Sequence, residues 1–340
     1  MAKYFRSVFI SVTLLLVIGC GEQKENVIVY TTHGKDLLES MITQFETAHP
    51  NIEVQWIDMG SQDALDRVRS ERANPQADIW WGAPAPLFMK AKDENLLQPY
   101  QPSWANAIDP IYHDADHHWY GTFLTPEVIG FNSEKLTAET APQDWDDILQ
   151  PEWKNRVVIR DPLPSGTMRA IFTAMILRFY GAEQNTGPGF EWLRKLDANT
   201  HSYAPDQTLF YLKLSRGEGD VTLWNMPDML LQKNVNNLPF GYVVPKSGTV
   251  VVTDCIALVA GGKNSERAKL FYEFVTSEKA FIEQANKFYR IPSRKDLPKE
   301  QLPEWMREEL KVLPIDWKIF SEKSDEWIKY WDENIRNQGK

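Results

Sequence analysis

The stretch RDPLPSGTMRAIF, residues 160–172, sets two prolines ahead of a serine, a glycine and a threonine that open an apolar run of helical character. The backbone amides of Gly166 to Arg169 would be the free donors of a helix N-terminus, since no preceding turn accepts from them. Gly166 permits close backbone approach, Ser165 and Thr167 add hydroxyl donors, and Arg169 adds a cation. That combination suits a phosphate, a phosphonate or a carboxylate. The plainer alternative is an ordinary N-cap followed by an exposed arginine.

TTHGK, residues 31–35, is a second helix start placed at a strand end. Thr31, Thr32 and the amide of Gly34 can donate, and His33 could be a pH-sensitive partner. The alternative is capping by Thr32 with His33 turned to solvent. Trp81 and Trp224 stand at two further strand ends, with Gly82 following the first and Asn225 and Asp228 following the second. The indoles could wall or stack on an organic ligand, or simply pack in a core. Asp228 would suit an amine on the ligand, or only cap its helix. Asp254 marks a strand that ends near the same region, with a structural role as the plainer reading. HDADHHWYG, residues 113–121, gathers His113, Asp114, Asp116, His117 and His118, but their spacing fits no closed tetrahedral metal motif. A solvated surface loop is the expectation there, and no metal or cofactor is assigned.

LLLVIGCGEQ, residues 14–23, carries chemistry of another kind. Lys3 and Arg6 precede an apolar run from Val8 to Ile18. A bilayer core needs roughly 20 apolar residues to be spanned, so the run reads as the h-region of a signal peptide. Val17-Ile18-Gly19-Cys20 reads as a lipobox. The Cys20 thiol would accept a diacylglycerol as a thioether, and the amino group freed by cleavage would take a further acyl chain such as palmitate. Two or more chains anchor stably where one does not. Residues 1–19 are then a signal peptide and residues 20–26 a tether.

The rest, about 320 residues, is ample for a large core and for two lobes, with 43% hydrophobic and 12% aromatic content over the whole chain. The net charge is −10, and −12 without Lys3 and Arg6, since residues 1–19 hold no acid. No basic footprint for nucleic acid exists. Cys255, in the apolar VVVTDCIALV, has no partner once Cys20 is lipidated, and reads as a small buried residue. Stability outside the cell must then come from the core rather than from disulfides.

The elements that would position these residues follow from periodicity. Val27–Val29 is a continuous apolar strand. Leu37, Leu38, Met41, Ile42 and Phe45 repeat at helical spacing until Pro50 stops them. A strand over NIEVQWI, a helix from Ser61 or Asp63, a strand ending in Gly82 and a helix from about Pro86 to Glu94 complete a β-α-β-α-β-α order. That order predicts a mostly parallel, doubly wound sheet, with chemistry at the carboxyl ends of its strands. Tyr30–His33, Gly60–Ser61 and Trp81–Pro84 are therefore expected to be neighbours. Strands over Val128–Phe131, Val157–Ile159, Val221–Trp224, LPFGYVV and TVVVTDCIALV alternate with helices in the second half. Two amphipathic helices follow, then helical fragments with prolines. The return of the chain near Val250–Ala260 suggests two lobes joined by strand-like crossings, which is what a hinge requires.

VIVYTTH, FETAHPNIEVQW, ADIWWGAPA, WYGTFLTPEVIGFN, DWDDILQPEWKNRVVIRDP, PSGT, GEGDVTLWN and VPKSGTVVVTDCIALVAGG follow one another in an order that resembles the extracellular solute-binding proteins of ABC importers. The likeness is to the branch that binds ferric iron, phosphonates or sugar phosphates. It implies an α/β, two-lobed type II periplasmic-binding fold with strand crossings as hinge. Lobe 1 would be residues 27–125 plus 256–340, and lobe 2 residues 126–255. Ferric members of the branch often ligate iron with adjacent tyrosines after the strand that here reads DVTLW. Trp224-Asn225-Met226 stand in that place, and no tyrosine occurs between Tyr211 and Tyr242. An indole nitrogen is only a donor, and the hard phenolate ligands suited to ferric iron are missing.

The resulting expectation is a non-enzymatic, monomeric binding protein, exported to the periplasmic or cell-surface side and anchored by lipid at Cys20. It would capture a small anionic solute through Thr31, Thr32, His33, Trp81, Gly82, Ser165, Gly166, Thr167, Arg169, Trp224, Asn225 and Asp228, and pass it to an ABC permease. A ferric-iron carrier of the same fold is the alternative. A secreted enzyme or a sensor domain stands further off, since G-x-S-x-G, Walker and H-E-x-x-H motifs are absent.

Overall fold

The computed structural model describes residues 25–307 and 309–338. Cys20, the signal peptide and most of the tether lie outside the described residues. The first half alternates β1 (Glu25–Thr31), α1 (Lys35–Ala48), β2 (Ile52–Asp58), α2 (Ser61–Ser70), β3 (Ile79–Pro84), α3 (Ala85–Asp93) and the short β4 (Leu97–Gln98). Strand β1 runs parallel to both β2 and β3. Its residues alternate between two cores, as a pleated strand requires. Val27 and Val29 pack with α1, while Tyr30 packs with α2 and α3 residues on the other face. The apolar stripe of α1 is the expected one: Leu37, Leu38, Met41, Ile42 and Phe45 are all buried.

β5 (Tyr120–Asn132) then crosses the molecule. Residues 120–126 pair antiparallel with β10 (Val251–Val259), and residues 127–131 pair antiparallel with β8 (Val221–Asn225). One strand thus belongs to both halves, and the change of partner falls between Pro126 and Glu127. The apolar pattern had marked only Val128–Phe131, because the polar residues of the crossing break the apolar run. The second half adds β6 (Val157–Arg160), α4 (Gly166–Tyr180), α5 (Gly187–Asn199), β7 (Thr200–Ala204), α6 (Gln207–Ser215), α7 (Met226–Asn234) and β9 (Phe240–Val243). The main strand order is β2-β1-β3-β10-β5-β8-β6-β7. Helix α4 is buried on almost every side, so its sequence is apolar all round rather than striped.

After β10 come α8 (Ser265–Val275), α9 (Glu278–Phe288) and the two-residue β11 (Ile291–Pro292), which return to the first half. The chain then closes with α10 (Trp317–Asn334), one long helix where helical fragments were expected. Its Phe320, Trp327, Ile328 and Trp331 belong to the core of the second half, with α4 and α5. Residues 256–340 therefore do not all pack with the first body, as the expected division at 126 and 255 supposed. The helix also reaches the first half: Ser321 Oγ donates to Pro86 O at 3.1 Å. Cys255 is fully buried, as expected of a small core residue.

Candidate functional site

A cavity of about 280 Å³ lies between the two halves, at the strand ends. Strands β1, β2 and β3 bring Thr32 and His33, Asp58 to Ser61, and Pro84 to it from one side. From the other side β6 brings Arg160, the start of α4 brings Ser165, Gly166 and Thr167, and the start of α6 brings Asp206, Gln207 and Thr208. The end of β8 adds Trp224, Asn225 and, one turn on, Asp228. The crossing strands supply the floor, with Thr125 and Glu127 from β5, Val252 and Asp254 from β10, and Arg290 next to β11.

The halves touch at glycines. A Cβ added to Gly60 would lie 2.7 Å from Pro164 O, and one added to Gly166 would lie 2.6 Å from Ser61 Oγ and 2.7 Å from Pro84 Cδ. The N-terminus of α4 thus faces the N-terminus of α2 across the cavity mouth. Ser165 is a true N-cap, its Oγ accepting from the Met168 amide at 3.2 Å.

Arg169 is not on the cavity lining. It points away, where its Nε donates to Leu163 O at 2.9 Å and Nη1 to Asp325 at 2.8 Å. The short offset from Gly166 hid this, because residue 169 lies on the face that α10 covers. Trp81 is fully buried beneath His33, its ring 5.1 Å from the imidazole, and packs with Phe123 and Phe271 rather than facing a ligand. Thr31 and Gly82 shape the site indirectly. Thr31 Oγ1 accepts from the His33 amide at 3.1 Å. Gly82 adopts φ +100°, and a Cβ there would come within 2.5 Å of Thr32 Oγ1. Ala83 follows at φ +96°, an unfavourable conformation for a residue with a Cβ, buried in the core just before the cavity-lining Pro84.

Burial and the neighbouring Arg290 push the His33 pKa well below its ordinary value, so the ring is neutral and is not a sensor near neutral pH. Its Nε2 has no hydrogen-bond partner among the described residues. Asp228 is fully engaged. It accepts from Gln207 Nε2 at 3.2 Å, Tyr211 OH at 3.1 Å and Asn225 Nδ2 at 3.0 Å, and pairs with Arg290 at 3.2 Å. Trp224 lines the cavity and donates its Nε1 to Tyr211 OH at 3.2 Å.

Asp58, Glu127, Arg160 and Arg290 were not found from the sequence. Burial raises Asp58 to about 6 against hydrogen bonds from Met59 and Gly34, with Asp228 adding repulsion. Burial likewise raises Asp254 to about 6, opposed by the Thr125 hydroxyl and Arg290. Glu127 is raised well above the ordinary carboxyl range by complete burial and by the acids Asp254 and Asp228. Burial lowers Arg160. A signal did exist for Glu127, since an acid inside the apolar TPEVIGF is costly unless it has a use. Arg290 had none, because only folding brings it to the cavity.

The 113–118 segment is less solvated than expected. Asp114 is buried, binds His118 Nδ1 at 2.9 Å and takes Lys92 Nζ at 2.6 Å, and the same amine lies 2.7 Å from Asp116. Asp114, Asp116 and His118 form the one compact group of metal-ligating type among the described residues, and Lys92 already pairs with both of its carboxylates.

The sequence model described as "Bacterial extracellular solute-binding protein" matches residues 74–323. A protein of Sinorhizobium fredii named "Probable ABC transporter periplasmic-binding protein" is 26% identical over 291 residues, covering 84% of this chain and 80% of its own. The "Putative 2-aminoethylphosphonate-binding periplasmic protein" of Salmonella typhimurium is 26% identical over 256 residues, covering 74% and 72%. The solved structure of the periplasmic binding protein P5PA superposes with a TM-score of 0.81 at 26% identity, over 92% of this chain and 99% of that one.

Proposed function

This chain belongs to the bacterial extracellular solute-binding proteins, and from that premise we propose that it is the capturing component of an ABC importer for a small solute with an anionic group. A phosphonate, a sugar phosphate or a carboxylate fits. The observation that carries the reading is the meeting of two helix N-termini across one cavity. Ser61 at the start of α2 and Ser165–Thr167 at the start of α4 face the same space, with Arg160 beside them. The Gln62 amide already donates to Pro164 O at 3.4 Å, and the Met168 and Arg169 amides donate to Ser165. The amides of Gly166 and Thr167 and the Thr167 hydroxyl are the donors left to favour an anion, and the charge of Arg160 adds to them.

Each half holds only part of the donor set. A solute touching both is held more tightly when the halves are together, and only that difference in affinity drives closure. The crossings at β5 and β10 are the segments about which such closure would turn. The loaded form is then presented to a membrane permease. In the same proposal residues 1–19 are removed on export, the lipid on Cys20 keeps the protein at the membrane, and it works as a monomer without catalysing a reaction.

The ferric-iron alternative has less to work with. Asn225 ends β8 and Met226 follows it, in the place where ferric members often carry a tyrosine pair. The cavity acids and His33 form no compact group of three ligands among the described residues.

A thermal-shift screen of phosphonates, sugar phosphates, carboxylates, amines and ferric salts tests the reading, since a tight ligand raises the melting point by mass action. An anionic organic compound should give the largest shift. A shift with ferric salts alone would replace the reading with the metal-carrier one.

A further inference from the structure

The cavity floor holds an acid for which a purely anionic solute has no use. Glu127 sits where β5 leaves β10 and joins β8, with its backbone fixed by Val250 O and by the Asn225 register. It is fully buried and lines the cavity, and neither carboxylate oxygen has a hydrogen-bond partner among the described residues. The Thr167 hydroxyl is close enough to favour its charged form slightly, but makes no well-formed bond. Asp254, on β10, lines the same cavity and has one oxygen, Oδ2, held by Thr125 Oγ1 at 2.6 Å. Asp228, the third acid nearby, is already saturated by Arg290 and three neutral donors.

A buried carboxyl without a partner is destabilising, and a charged one far more so. The fold tolerates it as a neutral acid in the empty site, or as a carboxylate once something supplies donors and a positive charge. The charged or titratable groups that share the cavity with it are Asp254, Asp228 with Arg290, His33, Asp58, Asp206 and Arg160. The histidine is neutral and each arginine is nearer to another acid or carbonyl, so none of them fills the role.

We propose that Glu127, with Asp254 in the same cavity lining, is the seat of a ligand ammonium group, so that the captured solute is a zwitterion with its anion on Ser165–Thr167 and its amine on the cavity floor. This rests on the anionic reading above for one end of the molecule only. An ammonium has three donors on one centre, which matches two carboxylate oxygens and the Thr167 hydroxyl. Arrival of the amine in its charged form displaces the proton held by Glu127, and that proton leaves to the buffer. Capture is therefore coupled to proton release.

The test is isothermal titration calorimetry at pH 7 in two buffers of different ionisation enthalpy. The probes are 2-aminoethylphosphonate, ethylphosphonate and putrescine, and the proteins are wild type, Glu127→Gln and Asp254→Asn. The amine should tighten phosphonate binding about tenfold or more in wild type. The gap should close in Glu127→Gln and narrow in Asp254→Asn. The buffer-dependent part of the enthalpy for 2-aminoethylphosphonate should be larger in wild type than in Glu127→Gln by the proton that Glu127 gives up, since the phosphonate's own second ionisation is common to both proteins. Melting of the empty variants at or above the wild-type temperature would show that they fold. Equal binding of the two phosphonates by wild type would remove the amine seat and leave the anionic reading intact. Binding of putrescine alone, lost in Glu127→Gln, would do the reverse. A gap that survives both substitutions would overturn the seat, and no binding of any probe would overturn both readings.

Discussion

Arg169 and Asp325 are 2.8 Å apart, and the same aspartate holds Lys90 at 2.7 Å with its other oxygen. One carboxylate of α10 thus ties the start of α4, in the second half, to the end of α3, in the first. Arg169 is largely buried, whereas Asp325 is 54% exposed, so solvent weakens the pair. Its removal still strands a buried guanidinium. Asp325→Asn should cost on the order of 1–3 kcal/mol in urea unfolding. Arg169→Ala should destabilise similarly yet change the affinity of the folded protein for an anionic probe less than about threefold, because the side chain is turned away from the cavity. A loss of a hundredfold would return Arg169 to the site.

Acid titration separates the two kinds of carboxyl. Asp325 has a folded pKa below the ordinary range, lowered chiefly by its bonds to Lys90 and Arg169 against burial. Its contribution is present above that range and disappears on acidification. Asp254 and Glu127 have the opposite sign: raised by burial, they stabilise the empty protein below about pH 4 and cease to do so as pH rises through about 6 for Asp254 and higher for Glu127. A Glu127→Gln, Asp254→Asn double variant should therefore gain on wild type between pH 5 and pH 8, by on the order of 2 kcal/mol. Chemical unfolding at the two pH values measures it, and a difference independent of pH would refute the assignment.

Gly166 is the point at which the halves come together. Its added Cβ would press on Ser61 Oγ and on the Pro84 ring. The serine can turn aside, but the proline ring cannot. Gly166→Ala should leave unfolding nearly unchanged and weaken solute binding by about tenfold, mainly through faster release, because it opposes only the closed arrangement. Stopped-flow dissociation separates this from damage to the donor set, which would also slow loading.

Cys20→Ser should abolish incorporation of labelled palmitate and release the protein from the membrane fraction. Retention with undiminished label would rule out Cys20 as the lipid site.

Much of the first half was legible in the sequence because its strands and helices carry local patterns: an apolar run at Val27–Val29, a helical stripe from Leu37 to Phe45, a stop at Pro50. The meeting of residues near 32, 60 and 84 followed from the rule that loops at strand carboxyl ends share one edge. What local pattern could not supply was direction and distance. Arg169 sits three residues from Gly166 but on a face that α10 covers. Trp81 ends a strand but points into a core. Arg290 reaches the cavity from far along the chain. The long α10 was read as fragments because the prolines before it obscured a helix whose aromatic face is buried by α4 and α5.

The most direct test of capture between two halves is small-angle X-ray scattering of the wild-type protein, empty and saturated with the compound that binds tightest in the thermal screen. The account predicts a fall in the radius of gyration on saturation, and a smaller fall for Gly166→Ala. An unchanged radius at proven saturation would contradict it.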